Sequence, residues 1–228
     1  MKEVIVLSLG GSLIIPDEID TKFLSEFKKV INKNKSKRKF VIVCGGGSIA
    51  RKYIYALREI GMNEVLQSFA GISATRMNAR FMSYFFGQNQ EEGIPHTIGE
   101  LKNYLKKSNV VFCGALEYKP HQTSDSTAAE IAKYFKTNFI NLTNVPGLHD
   151  RNPNKYRNAK FIPRITWADL HKMATKEKFS PGQHFVIDQT ASKMIMDNKI
   201  TTYIIGKSPE QLDNLLNGKK FIGTIVSG

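Results

Sequence analysis

The stretch Phe40-Val41-Ile42-Val43-Cys44-Gly45-Gly46-Gly47-Ser48 decides the fold. Its five apolar residues are too few for a helix and stop at three glycines. That is the pattern of a strand buried on both faces and ending in a tight turn. The residues after it, Ser48 to Ile60, place apolar side chains at helical spacing and carry Arg51 about one turn in. Upstream, Val4 to Leu9 repeats the arrangement: an apolar run interrupted only by Ser8, stopped by Gly10-Gly11 and followed by Ser12. Downstream, Val110 to Cys113, Phe139 to Leu142 and Thr202 to Ile205 have the same strand character. Between the strands lie helical patterns at Thr21 to Ile31, Ser126 to Phe135 and Gln189 to Met196. Strand, turn and helix in alternation predict a mainly parallel α/β sheet with helices on both faces, whose ligands sit at the carboxyl ends of the strands.

A longer helical stretch, Val65 to Phe86, contains Phe69, Ile72, Met77, Phe81, Met82, Tyr84, Phe85 and Phe86. Such a density of apolar rings belongs to a core, or to a contact between copies of the chain. His149 to Ile162, with an Asn-Pro and several basic residues, reads as an irregular excursion or β-hairpin leaving the sheet. No repeat or linker divides the chain, and 228 residues suit a single domain.

The sum of 33 basic and 20 acidic side chains is +13, a surface that attracts anions. Nucleic acid is one such anion, and Lys33 to Lys39 is a basic run, but without interleaved aromatics it reads as a solvated helix end and loop. No window reaches the roughly 18 apolar residues of a membrane helix, and the start shows no signal peptide pattern, so a cytoplasmic, membrane-free protein is expected. Two cysteines, Cys44 and Cys113, exclude a disulfide framework and read as small buried apolar residues. His96, His121, His149, His171 and His184 are too scattered for a metal cluster, so no protein-held metal site is expected. Trp167, near a helix start at Thr166, reads as packing.

The two glycine turns are the strongest chemical signal. Glycine lets backbone N–H groups approach phosphate oxygens, and a helix N-terminus adds partial positive charge. Neither turn is a Walker loop or a dinucleotide fingerprint. Thr123-Ser124-Asp125-Ser126 precedes an amphipathic helix and reads first as its N-terminal cap. Asp188 reads as the cap of a helix carrying Lys193, which would neutralise phosphate if aimed at the sheet edge.

Taken in order, these segments resemble the amino acid kinase family, in its archaeal UMP kinase branch. They are Leu9-Gly10-Gly11-Ser12, Gly45 to Ile54, Thr75-Arg76-Met77-Asn78-Ala79, Thr123-Ser124-Asp125, Thr143 to Leu148, Val186-Ile187-Asp188 with Ala191 and Lys193, and Gly223-Thr224-Ile225. The resemblance implies a three-layer αβα sandwich around a mainly parallel sheet of about eight strands. It also implies Mg-ATP-dependent phosphorylation of UMP to UDP and assembly into dimers or hexamers. The acceptor would bind in residues 1 to about 137 and ATP in the remainder.

Carried over by position, Gly11, Ser12 and Gly47 would cradle ATP phosphates, and Gly46 would lie between acceptor and ATP. Arg51 would clamp phosphate. Ser68, Gly114, Thr123 and Ser124 would surround UMP, while Asp125 would organise the catalytic groups and Lys193 would neutralise the transferring phosphoryl. Thr143, Asn144, Gly147, His149 and Asn152 would form the adenine and ribose loop.

Several ligand-facing positions depart from the family pattern. Ser8 stands where relatives place Lys or Asp, and Ser68 where an Asp would accept from the UMP ribose. Pro146, His149 and Asn152 replace Asp, Tyr and Asp, and the loop Gly114 to Thr123 is longer and lacks an internal glycine. A lost hydrogen bond to a charged group costs about 1.5–3 kcal/mol, tenfold or more in affinity. Three alternatives therefore stay open at this point: a kinase for another small phosphorylated or carboxylated acceptor, a catalytically weak nucleotide- or oxyanion-binding protein, and nucleic-acid binding through the +13 surface with steep salt dependence.

Overall fold

The first strand, β1 (Glu3–Leu9), and the second, β2 (Arg38–Cys44), lie side by side and parallel, with Leu9 opposite Cys44, so their two glycine turns emerge at the same sheet edge. Both are buried along their last five residues. The structure is a computed structural model that describes residues 2–89, 93–120, 122–151, 153, 156–176 and 186–228.

The remaining elements follow in chain order. They are α1 (Gly11–Ile14), α2 (Thr21–Asn34), α3 (Gly47–Glu59), α4 (Glu64–Phe85), α5 (Ile98–Lys107), β3 (Val110–Cys113), α6 (Ser124–Phe135), β4 (Phe139–Leu142), β5 (Leu148–His149), β6 (Phe161–Ile162), β7 (Arg164–Ile165), α7 (Trp167–Ala174), α8 (Gln189–Asp197), β8 (Thr202–Ile205), α9 (Pro209–Leu216) and β9 (Thr224–Val226). Among the described residues the sheet has seven strands in the order β3-β2-β1-β4-β8-β9-β7. Every pairing is parallel except that of β8 with β9. β5 and β6 form a separate antiparallel pair, the expected hairpin outside the sheet.

Alternation along the strands builds two cores. Ile5, Leu7, Leu9, Phe40 and Ile42 face α1, α2, α4 and α9 through Leu13, Phe27, Met82 and Leu212. Val6, Val41, Val43, Val111 and Phe139 face α5, α6, α7 and α8 through Leu101, Ile131, Leu170 and Ile195. The result is the expected αβα sandwich. Cys44 and Cys113 are buried and free, each in a different core. Trp167 packs in the second core and donates from Nε1 to the carbonyl of Ile200.

The long α4 divides its apolar residues. Ala79 and Met82 enter the core, while Val65, Leu66, Phe69, Met77 and Tyr84 are exposed and, with Tyr53 and Tyr55 of α3, leave an apolar surface on this helix pair. The basic run at the end of α2 is tied down: Lys33 pairs with Asp213 at 2.7 Å, Arg38 with Glu3 at 3.2 Å, and Lys39 donates to the carbonyl of Leu105. Three of its cations thus have partners within the chain. Among the described residues no helix is long and apolar enough to cross a membrane.

Candidate active site

Glycine at both turns is required by contact. A Cβ on Gly11 would lie 2.0 Å from the Gly47 nitrogen and 2.7 Å from the Gly45 carbonyl carbon, and one on Gly45 would lie 2.4 Å from the Gly11 nitrogen. The turns after β1 and β2 therefore press backbone against backbone. Gly47 adds a positive φ of 64°, a conformation that side chains resist. Gly10, the cap of α1, and Gly46, the cap of α3, supply no side-chain acceptor. Helix N–H groups that lack intrahelical partners are thus presented at one sheet edge, with the positive ends of two helices behind them.

Two side chains near the start of α3 bear on this corner. Arg51, half-buried about one turn into α3, makes no hydrogen bond or ion pair among the described residues. Ser48, only 4% exposed, has a hydroxyl with no hydrogen-bond partner, the one such buried side-chain atom among the described residues. A buried hydroxyl left unpaired costs about 1–3 kcal/mol, so its retention at a helix start fits a ligand oxygen that completes it. Backbone donors, a free guanidinium and an unmet hydroxyl suit a phosphate chain.

Beside the turns sit two carboxylates with different duties. Asp188, 3% exposed, caps α8 by accepting from the Ala191 N–H at 2.8 Å. It also accepts from the Ser126 hydroxyl at 2.8 Å and the Thr123 hydroxyl at 2.5 Å, both at the start of α6. Thr123 in turn caps α6, accepting from the Asp125 N–H at 3.1 Å. Within the segment expected to cap the helix, the cap itself is Thr123, in a capping box with Ser126.

Asp125, by contrast, is half-buried and takes its hydrogen bond from outside the helix: Ser8 on β1 donates to Asp125 Oδ1 at 2.6 Å. Desolvation pushes the Asp125 carboxyl up to about 7, the Ser8 hydrogen bond opposes that rise, and the charge of Asp188 adds to it. Because the folded-state value is raised, Asp125 holds a proton in the folded chain at pH values where the unfolded chain has released it. This group's contribution to stability is therefore full below about pH 4 and is lost as pH rises through about 7. Replacing Asp125 with Asn removes that loss. The urea midpoint of Asp125→Asn is expected to exceed that of the unmodified protein by more at pH 8 than at pH 5, and an equal difference at the two pH values would contradict the assignment.

This corner of two glycine turns and a carboxylate, on a chain whose residues 3–206 match the family model described as the amino acid kinase family, decides the assignment. The chain belongs to the amino acid kinase family. It is 36% identical over 228 residues to the uridylate kinase of Thermoplasma volcanium, covering 99% of this chain and 98% of that protein. Against the uridylate kinase of Methanocaldococcus jannaschii it is 32% identical, covering 98% and 99%. Among solved structures, the uridylate kinase of Archaeoglobus fulgidus superposes with a TM-score of 0.81 at 33% identity over 100% of both chains. UMP kinase from Ureaplasma parvum, 23% identical, shares the fold with a TM-score of 0.80.

In this amino acid kinase, Gly11 packs against Gly45 and Gly47 where the two turns meet, Ser12 and Arg51 follow in the helices that those turns open, and Asp125 is hydrogen-bonded to Ser8 on β1. Gly114, at the end of β3, is pressed against α4, where a Cβ would meet the Arg76 nitrogen at 2.6 Å. Ser68 lies half-buried on α4 and Ser124 half-buried at the start of α6. The hydroxyl of Thr123 is committed to Asp188 and to its own cap, so it serves the helix start.

The C-terminal half carries the other expected group. Thr143, Asn144 and Gly147 follow β4, anchored by the Thr143 N–H to the Ile205 carbonyl at 2.9 Å and the Leu148 N–H to Thr224 Oγ1 at 2.8 Å. His149 turns its Nδ1 to the Gly147 carbonyl at 3.2 Å and its ring edge to Phe161, which gives it a local structural partner. Asn152, His121 and His184 lie outside the described residues.

Lys193 is not brought to the site. Its ammonium pairs with Asp197 at 2.9 Å, one turn along the exposed face of α8. The reason is helical phase: Ala191, Ser192 and Ile195 face inward, and position 193 falls on the opposite side. Three participants escaped sequence reading. Ser8 was legible as a lost charge but not as a hydrogen-bond donor, Asp188 as a cap but not as a tie between helices, and Ser48 only as the residue after three glycines.

Proposed function

We propose that the protein is an ATP-dependent nucleoside monophosphate kinase that converts UMP to UDP. The observation that carries this reading is the pair of glycine turns, pressed together at the ends of β1 and β2, with Arg51 about one turn into the helix that the second of them opens. The uridylate kinase relatives support the choice of acceptor. In the reaction an oxygen of the UMP phosphate bonds to the γ-phosphorus of ATP as the bond to the β-phosphate oxygen breaks, and ADP leaves. The acceptor oxygen is already anionic, so the protein's work is positioning and charge neutralisation.

Backbone N–H groups of the two turns and the Ser48 hydroxyl would hold phosphoryl oxygens, and Arg51 would draw the negative chains together. Asp125, fixed by Ser8, would orient groups at the floor of the site. The described residues contain no cluster of three or more His, Cys, Asp or Glu side chains able to hold a metal. The donor set fits Mg²⁺ that would arrive with the nucleotide and would supply neutralisation of the phosphate charge, leaving positioning to the turns and Arg51. The Thr143–Gly147 loop would take the adenosine.

One observation favours a second reading, a nucleotide-binding protein with weak transfer. Ser8 brings a hydroxyl to Asp125 and Lys193 faces Asp197, so neither position supplies an ammonium at the turns. Incubation with Mg-ATP and, in turn, UMP, CMP, dTMP, isopentenyl phosphate and acetylglutamate separates the two. ADP release that depends on UMP is the expected outcome. Silence with every acceptor, together with thermal stabilisation by ATP, would replace the kinase reading with the binding one.

A further inference from the structure

The loop from Gly114 to Thr123 does not hang free from the end of β3. Its first residues are tied to α4: the Ala115 N–H donates to Thr75 Oγ1 at 3.0 Å, and Arg76 donates from Nε to the Ala115 carbonyl at 3.0 Å and from Nη2 to that of Leu116. Its middle is tied to α6 by an ion pair between Lys119 and Glu130. Its far end is the capping residue Thr123. Between these ties the chain runs along α4 toward that helix's N-terminus, from Arg76 to Phe69, a distance of about 10 Å at the rise of an α-helix.

At that point the Tyr118 ring meets the Phe69 ring, with centroids 5.0 Å apart and planes at 52°. Phe69 and Arg76 are seven residues apart and share one stripe of the helix, so the aromatic contact is the outer rung of the same attachment. The neighbours of Tyr118 turn the other way: Leu116, Glu117, Lys119 and Gln122 line a cavity of about 220 Å³ with Thr97 and Thr127.

Burial does not explain the pair. Phe69 remains 45% exposed with Tyr118 against it, and Tyr118 is itself half-exposed. Phe69 directly follows Ser68 on α4, and the loop that carries Tyr118 leads through its cap residue Thr123 into Asp125. A rigidly tied, solvent-facing aromatic pair is the surface on which a planar base stacks.

We infer that Phe69 and Tyr118 form the base-recognition wall of the acceptor site, so that Tyr118 sets the preference for a nucleoside monophosphate over a sugar phosphate that lacks a base. This rests on the acceptor reading proposed above and goes beyond it by naming the residues that read the base. Where Ser68 offers the ribose only a neutral hydroxyl, the aromatic wall supplies binding from the other end of the nucleotide.

The test compares Tyr118→Ala and Tyr118→Phe with the unmodified protein, using UMP and ribose 5-phosphate as acceptors and ADP release as the readout. Stacking of one base is worth about 1–3 kcal/mol, so Tyr118→Ala is expected to raise the KM for UMP by about 5- to 150-fold. Tyr118→Phe should restore it, and the KM for ATP and any turnover of ribose 5-phosphate should stay within about twofold. An unchanged KM for UMP in Tyr118→Ala overturns the inference. So does an equal loss with ribose 5-phosphate, or a matching rise in the KM for ATP, because each marks a loop that has merely shifted. Failure of the unmodified protein to turn over UMP would instead strike the function proposed above, and is read first.

Discussion

Arg51→Ala is expected to lower kcat/KM for UMP-dependent ADP release by about 10²–10³-fold, the loss seen when one preorganised donor to a charged transition state is removed. The side chain is half-buried yet has no partner among the described residues, so its removal leaves no carboxylate orphaned and no packing network broken. Stability should therefore hardly change, and the thermal midpoint of Arg51→Ala should stay within about 2 °C of the parent. Lys at the same position keeps the charge and loses the planar fork, so Arg51→Lys should recover only part of the rate. If Arg51→Ala turned over UMP at the parental rate, the guanidinium would have no place in the site and the phosphate-clamp assignment would fall.

The second large effect is structural. In Gly11→Ala the added carbon meets main-chain atoms of Gly45 and Gly47, at 2.0 Å in the closest case, and main chain cannot rotate aside as a side chain can. One of the two turns must move. Overpacking of this kind costs about 1–3 kcal/mol and more where backbone must shift. At the upper end this lowers the melting temperature of a chain this size by about 6–12 °C. Because the same displacement pulls the N–H groups of α1 and α3 out of register, ATP should no longer raise the melting temperature.

Gly99→Ala is the matched control, since its Cβ would come no nearer than 3.8 Å to Thr97 Oγ1. There the loss of backbone freedom in the unfolded chain makes alanine neutral or stabilising by about 0.4–1 kcal/mol. A Gly11→Ala variant that melted with the parent and still responded to ATP would show that the turns do not depend on their contact.

How far the sequence reached can be judged from these residues. The strands before Gly10 and Gly45 were legible because a buried parallel strand leaves a short apolar block that glycine ends sharply, and the observed boundaries of β3, β4 and β8 are those read from the sequence. The family assignment followed from the order of the turns. Missed elements include two short, mostly polar helices, although their few apolar residues fall on one face. They are α5, with only Leu101 and Leu105 buried, and α9, with only Leu212 and Leu216.

In the site, what could not be read was direction and distance. Whether Lys193 faces the sheet or Asp197 depends on which side of α8 is buried, and only the packing of Ala191, Ser192 and Ile195 fixes that. The Ser8 to Asp125 hydrogen bond joins residues 117 apart in sequence, and a hydroxyl in place of a charge gives no local sign of the partner it will find. The Tyr118 contact with Phe69 escaped for a similar reason, since it depends on how the acceptor loop is tied to α4.

The Asp188 carboxylate ends this chain's freedom to be divided. Its oxygens hold the first turn of α8, in the part expected to take ATP, and also the first turn of α6, in the part expected to take the acceptor. Each helix keeps its own cap, Thr123 for α6 and Asp188 for α8, but the two caps are hydrogen-bonded to each other, so fraying of one start disturbs the other. β1 reinforces this, pairing with β2 on one side and β4 on the other. A cut near residue 137 would therefore part α6 from the carboxylate that its Thr123 and Ser126 hydroxyls share with α8, and would part β1 from β4. For folding, the part expected to take the acceptor and the part expected to take ATP are one unit.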